Sequence, residues 1–398
     1  MENEVKEKKR TVAQDAAKGL MIISVVFFHC YLVCLPDPSA GLTIFNLLSC
    51  FFPFLLSSFF FYTGYNYKDR GRSIKESIIR RTKQLIIPMI IVFLINTILI
   101  GSMVLAMDHA DAGKTLQLIG ETVLFCILSQ PLAMFIGVPA SGVISFEIHL
   151  AVGILWFILV LYICSIFFYI LVPHTNKNLV TLISVDILLL LMSFAMGQFI
   201  SPYLPFTVQS YPTILAIMLT AAYLRQWHFL NRRVESKKHS ILMGINAIVA
   251  EGIIVGTCLL CHYQFGALFT GSLPAGQFDP ALGGFDAIIS FFFGILGTYF
   301  LHTVCRLIKR IPVVGFALAY VGNHSSTFYL FHPIFVVLVS TVIFQKNIVM
   351  GDFQPFFYVF VVVILLVGLC LLLDFIVKKK QIERPIVEEV NANKDEEV

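Results

Sequence analysis

Three ionisable residues in the first long apolar segment have the types and spacing needed for chemistry inside a membrane. Asp15, Lys18 and His29 lie in a run that is otherwise almost entirely apolar. In an α-helix, the three-residue and eleven-residue steps between them return to one face, and eleven residues rise about 16 Å. The pattern predicts an ion pair at one membrane surface and an imidazole near mid-bilayer. That imidazole is suited to be a general base or a nucleophile. The alternative is a structural histidine with a snorkelling lysine anchor.

The composition indicates an all-α integral membrane protein. Of 398 residues, 58% are hydrophobic and 13% are charged, whereas soluble domains are about 45–50% apolar and about 25% charged. The nine cysteines lie mostly in apolar runs, which predicts small core residues rather than disulfides. The sequence has no P-loop, GxGxxG, HExxH or GxSxG motif, so nucleotide hydrolysis and serine-hydrolase chemistry are unsupported. We expect no metal site and no nucleic-acid partner.

Ten apolar runs are long enough to cross a bilayer and predict a polytopic bundle of about ten transmembrane helices. They are residues 17–35, 43–64, 85–106, 150–172, 179–199, 211–224, 240–262, 284–304, 325–345 and 355–377.

Charge supports this count and orients the chain. With a cytoplasmic N-terminus, the inner segments hold 26 of the 28 Lys and Arg. The positive-inside rule then places both termini in the cytoplasm. We therefore expect a cytoplasmic segment 1–16, a transmembrane domain 17–377 and a charged, disordered cytoplasmic tail 378–398.

Further polar residues lie on both predicted sides of the bundle. Arg80, Arg81 and Lys83 precede the third span on the cytoplasmic side, where the alternative is a plain orientation signal. Glu147 and His149 lie at the end of the long outer segment 107–149, whose part 116–138 predicts a re-entrant or interfacial helix. Asp186 and Glu251 fall deep within spans and predict a polar cavity.

Several short motifs, in this order, resemble the membrane-bound acyltransferase-3 family, most closely its polysaccharide and sugar O-acetylases. The motifs are Asp15-x-x-Lys18-Gly19 with His29 eleven residues after the lysine, the aromatic ending Phe59–Tyr65 of span two, the Arg81–Pro88 stretch, Leu155-Trp156-Phe157, and Gly322-x-x-Ser325 followed by Tyr329-Leu-Phe-His332-Pro333. The chain departs from the family's Arg-x-x-Arg pattern, because Gln84 stands at the second arginine.

The resemblance implies roles for these residues. Catalytic roles fall to His29, Lys18, Asp15 and His332; donor binding to Arg80, Arg81 and Lys83; and acceptor binding to Glu147, His149 and Trp156. It also implies acetyl-CoA as donor substrate, with no bound cofactor, and a glycan or sugar as acceptor.

The first hypothesis is therefore a multi-pass plasma-membrane O-acetyltransferase that acetylates a cell-surface or exported glycan. Because about twenty residues follow the last span, we expect no appended esterase-like domain. The protein then acetylates its acceptor directly or passes the acetyl group to a separate extracytoplasmic transferase. Two alternatives remain. One is a transporter or flippase for a lipid-linked sugar or small anion, with His29, Asp186 and Glu251 as a proton relay. The other is an accessory protein without activity.

Overall fold

Helices account for almost all the regular structure of the described chain. The computed structural model describes residues 11–34, 50, 53–69, 71–108, 113, 156–199, 205–230, 237–262, 264–265, 276–277, 284–345 and 354–395. The helices are α1 (Val12–Cys34), α2 (Leu55–Tyr65), α3 (Ile74–Asp108), α4 (Trp156–Thr175), α5 (Leu179–Phe199), α6 (Tyr211–Gln226), α7 (Lys237–Leu260), α8 (Phe285–Ile308), α9 (Pro312–Asn323), α10 (Ser325–Gln345) and α11 (Gln354–Asp395). A 3-10 helix covers Pro205–Ser210, and β1 (Gln264–Phe265) pairs antiparallel with β2 (Gly276–Gln277).

Local capping signals set where two of these helices begin. The Thr11 hydroxyl accepts a hydrogen bond from the Gln14 amide at 3.3 Å, at the start of α1. At the start of α3, Ser73 and Glu76 bond each other's backbone amides at 3.3 and 3.0 Å. This reciprocal pair is a capping box, which satisfies amides that the first helical turn leaves without partners.

Several of the described helices have the length and surface of membrane spans. Six of them are long and apolar enough to cross a membrane, by length and composition. Leu188 in α5, Ile248 in α7 and Phe360 in α11 are exposed, as expected for side chains that meet lipid rather than water. The all-α membrane class is thus confirmed, and each predicted span overlaps one of the helices. The number of crossings and the side of the termini stay predictions.

One apolar helix was not predicted, and one prediction about local structure is wrong. The inner loop 305–324 contains the apolar helix α9, which was overlooked because its twelve residues are too short for a span. Helix α11 continues to Asp395, through most of the tail expected to be disordered. The tail is rich in Lys and Glu, which favour helix, and extending an existing helix needs no new nucleation.

Helix α1 lies at the centre of the bundle and packs against α2, α8, α9, α10 and α11. Its closest neighbour is α9, at Gly19 and Gly322. A Cβ atom at Gly19 would overlap the carbonyl of Leu318, and one at Gly322 would overlap the carbonyl of Asp15. The backbones of α1 and α9 therefore touch directly, as small residues at a helix interface permit.

We expect Gly322→Ala to destabilise the protein by about 1–3 kcal/mol, because the added methyl group must push α9 away from α1. The measurement is the thermal unfolding midpoint of the purified protein in detergent. Gly252→Ala is the matched control, since a Cβ atom there meets nothing within 4 Å. Equal midpoints for the two variants would contradict the close contact.

Candidate functional site

The imidazoles of His29 and His332 lie against each other where α1 packs on α10. Their ring centroids are 5.1 Å apart, and the ring planes are inclined at 59°. His332 is fully buried, and His29 is partly exposed. The histidines of the first and ninth predicted spans thus meet at this interface.

The glycine contact determines which residues meet further along these helices. His29 lies ten residues beyond Gly19, and His332 lies ten residues beyond Gly322. Ten helical residues rise about 15 Å, and only His324 separates α9 from α10. Helix α1 and the consecutive helices α9 and α10 touch at the glycines and again at the histidines, so the two segments run side by side in the same direction. The equal spacing therefore sets the histidines opposite each other.

Both imidazoles are held by backbone carbonyls of their own helix. His29 donates from Nδ1 to the Val25 carbonyl at 2.7 Å. His332 donates from Nδ1 to the Tyr329 carbonyl at 2.8 Å. Residue 333 would normally donate its amide to that same carbonyl, but Pro333 has no amide hydrogen. The proline thus leaves the carbonyl available for His332.

These bonds fix the tautomer of each ring. A carbonyl oxygen only accepts, so Nδ1 carries the hydrogen in both neutral imidazoles and Nε2 carries the lone pair. In the described part of the chain, His332 Nε2 is buried without a hydrogen-bond partner. The pair therefore presents two basic nitrogens, and the one on the partly exposed His29 is accessible to a substrate.

A basic cavity of about 910 Å³ opens at the end of the bundle where α1 begins. Among the described residues, its lining contains a single carboxylate, Asp69, and eight cations: Lys18, Lys68, Arg72, Arg80, Arg81, Arg225, Arg306 and Lys309. Such an excess of positive charge fits a polyanionic ligand with several phosphates.

The structure brings most of the predicted basic residues into this cavity. Lys18, Arg80 and Arg81 line it, together with Gln84, whereas Lys83 is exposed and is not part of the lining. Arg81 is fixed by a hydrogen bond from Nε to the Ser165 hydroxyl at 3.3 Å. Asp15 is buried one turn before Lys18. The ion pair expected between these two stays a prediction.

Sequence reasoning missed the cations that come from elsewhere in the chain. Arg72, Arg225, Arg306 and Lys309 lie in or beside inner loops far apart in sequence. Their only signal was the inner-loop charge bias, which any membrane protein shows. Folding, rather than a motif, brings them together.

Aromatic rings separate the cavity from the histidine pair, and neither histidine belongs to the cavity lining. Phe59 lines the cavity, and its ring centroid lies 5.8 Å from that of Phe157. Phe157 lies 5.1 Å from Tyr329, which lies 5.7 Å from His332. A chain of three rings thus leads from the cavity to the pair.

The other predicted residues lie elsewhere. Glu147 and His149 fall outside the described residues, as does the segment 116–138, and Trp156 is the first residue of α4. Asp186 accepts a hydrogen bond from the Thr220 hydroxyl at 2.6 Å, and Glu251 is buried in α7. No cluster of three or more potential metal ligands occurs within the ranges described, and seven of the cysteines there are free thiols.

The family follows from the match of the chain to a known domain. Residues 12–375 match the model of the acyltransferase-3 family, described as an acyltransferase domain. The chain belongs to the acyltransferase-3 family. Both the glycine contact and the histidine pair fall within the matched region. No curated protein and no solved structure matches the chain.

For this acyltransferase-3 protein we expect both His29 and His332 to carry hydrogen on Nδ1 at about pH 8, where imidazoles are neutral. The measurement is the ¹⁵N chemical shift of each ring nitrogen in histidine-labelled protein. His29→Ala and His332→Ala assign the signals by their disappearance. An Nε2–H tautomer at either position would show that the carbonyl contacts do not hold the ring.

Proposed function

We propose that this protein is a plasma-membrane O-acetyltransferase that moves an acetyl group from cytoplasmic acetyl-CoA to a hydroxyl of a cell-surface or exported glycan. The proposal narrows the acyl-transfer activity of the family. One observation carries it: the first helix has Lys18 in the cationic cavity at one end and His29, with a basic Nε2, about 16 Å deeper.

The cavity suits the nucleotide end of acetyl-CoA. Its phosphates carry several negative charges, which pair with guanidinium and ammonium groups. The flexible pantetheine arm then extends from the cavity past the aromatic chain towards His29. A thioester delivered along this route reaches a site with little water, where electrostatic effects are stronger and hydrolysis is suppressed.

His29 Nε2 has two ways to promote the transfer. As a general base it takes the proton of the acceptor hydroxyl while that oxygen attacks the thioester carbonyl. As a nucleophile it attacks the carbonyl itself, forms an acetyl-imidazole and passes the acetyl group to the hydroxyl. In both routes the ester C–O bond forms, the C–S bond breaks, and the proton of the hydroxyl ends on the CoA thiolate.

His332 stabilises the charge that His29 acquires. Two imidazoles with centroids 5.1 Å apart do not both ionise readily, because like charges at this distance repel. One proton is therefore shared by the pair. The buried lone pair on His332 Nε2 is available to accept a hydrogen bond when His29 becomes protonated.

The transporter hypothesis receives less support. A relay needs His29, Asp186 and Glu251 in contact, but within the described residues the hydrogen bonds of His29 and Asp186 go to Val25 and Thr220. Membership of an acyltransferase family also favours group transfer.

We expect His29→Ala to reduce acetyl transfer by about 10²–10⁴-fold, the usual contribution of a general base. The assay measures label transferred from acetyl-CoA to glycans in membranes that contain the protein. His174→Ala is the control, since His174 is an exposed histidine at the end of α4 and should leave transfer unchanged. Near-normal transfer by His29→Ala, at equal protein abundance, would remove His29 from the reaction.

The acetyl group crosses the membrane within the protein in this proposal. The cavity is built mainly from segments that the positive-inside rule assigns to the cytoplasm, where acetyl-CoA is made. Exported glycans lie on the opposite side, where Glu147 and His149 are expected. His29, near the middle of a core about 30 Å thick, meets the donor from one side and the acceptor from the other.

Sealed right-side-out membrane vesicles, loaded with labelled acetyl-CoA, should accumulate labelled esters on their outer surface. An acetyl esterase added outside then releases the label, because the acceptor faces outwards. Inside-out vesicles loaded in the same way serve as the orientation control. Label that resists the external esterase in right-side-out vesicles would mean that acetylation precedes export.

A further inference from the structure

The second position of the Arg-x-x-Arg-like motif holds no charge in this chain. Arg81 and Gln84 lie one turn apart on α3, and both line the basic cavity. Glutamine donates hydrogen bonds but does not neutralise a phosphate. Arg80 precedes Arg81 and also lines the cavity, but position 84, one turn further along α3, carries no cation, so a charge at that place must come from another element.

Arg225, at the end of α6, lines the same cavity. One of its guanidinium nitrogens, Nη1, donates to the backbone carbonyl of Tyr67, which follows α2. A guanidinium group carries five N–H donors in a planar fork. The contact with Tyr67 orients this fork and leaves further donors available.

Aromatic residues link Arg225 to the region of Arg81. The Tyr67 ring lies 6.2 Å from that of Tyr169 on α4. Tyr169 is one turn beyond Ser165, whose hydroxyl accepts the hydrogen bond from Arg81. Arg81 and Arg225 thus flank one stretch of cavity wall made by Tyr67 and Tyr169, all four of which line the cavity.

Another arginine of the cavity is held away from this stretch. Arg306 on α8 directs Nη1 to the Leu230 carbonyl at 3.4 Å and to the Met243 sulfur at 3.9 Å. These contacts tie it to the chain around α7. Arg225, in contrast, has a contact that connects it to the wall beside Arg81.

We propose that Arg225 supplies the phosphate-binding charge that Gln84 lacks, so that Arg81 and Arg225 together bind phosphate groups of the donor nucleotide. The inference rests on the proposed use of acetyl-CoA. It identifies a donor-binding residue outside the motif and explains how the chain tolerates an uncharged residue at position 84. In this proposal the positive charge that the motif would place at position 84 is supplied from position 225. This relocation of charge means that the departure from the motif is no sign of lost activity.

The test compares acetyl-CoA with acetyl-pantetheine, a thioester that has no phosphate. In membranes that contain Arg225→Gln, the KM for acetyl-CoA should rise about 10–100-fold, the usual effect of losing a charged hydrogen-bond partner. The KM for acetyl-pantetheine should stay within about twofold. Arg310→Gln is the control, because Arg310 is exposed and is not part of the cavity lining.

A rescue variant tests the relocation of charge directly. Adding Gln84→Arg to Arg225→Gln should lower the KM for acetyl-CoA at least tenfold towards that of the unaltered protein. No recovery would overturn the relocation. An unchanged KM for acetyl-CoA in Arg225→Gln would overturn the inference. An equal rise in the KM for acetyl-CoA and for acetyl-pantetheine would also overturn it, because it would indicate a structural role of Arg225 through Tyr67. If the unaltered protein transfers no acetyl group from acetyl-CoA, the proposed function itself fails.

Discussion

The direct backbone contact between Gly19 and Gly322 is the interaction on which the candidate site depends. It brings α9 against the first helix more closely than any side chain would allow. The residues just before Gly19 are Asp15 and Lys18, and those just after Gly322 are Asn323, Ser325 and Ser326 at the cavity wall. Ten residues beyond each glycine, the same contact determines that the two histidines meet. One helix crossing therefore positions both the mouth of the cavity and the imidazole pair.

The cost of placing charge in hydrocarbon explains how the polar groups are distributed. Eight cations gather in a cavity of about 910 Å³ at one end of the bundle, where water screens them. Among the deeper groups are the imidazoles of His29 and His332, which the bilayer tolerates because they can be neutral. Rings of Phe59, Phe157 and Tyr329 lie between the two regions. A donor can thus be bound by charge at one point and react in a drier environment at another.

Local patterns in the sequence predicted those features whose residues lie on one element. The apolar runs gave the helices, and the spacing of Lys18 and His29 placed one residue in the cavity and the other deep in α1. Helix α9 was missed because a twelve-residue apolar stretch fits neither a span nor a polar loop. The cavity cations Arg225 and Arg306 could not be found either, since they reach the site only through packing between helices distant in sequence. The acceptor-side residues Glu147 and His149 lie outside the described chain and stay predictions.

The buried nitrogen of His332 is the second feature on which the proposed role of the pair rests. An unsatisfied buried acceptor typically costs about 1–3 kcal/mol, and His332 Nε2 is such an atom among the described groups. A phenylalanine or leucine would fill the same volume without that cost. The Tyr329 carbonyl that orients the ring has no helical N–H partner at position 333, because Pro333 carries no amide hydrogen. Both features leave a lone pair on His332 close to His29, as the proton shared by the pair in the proposed reaction requires.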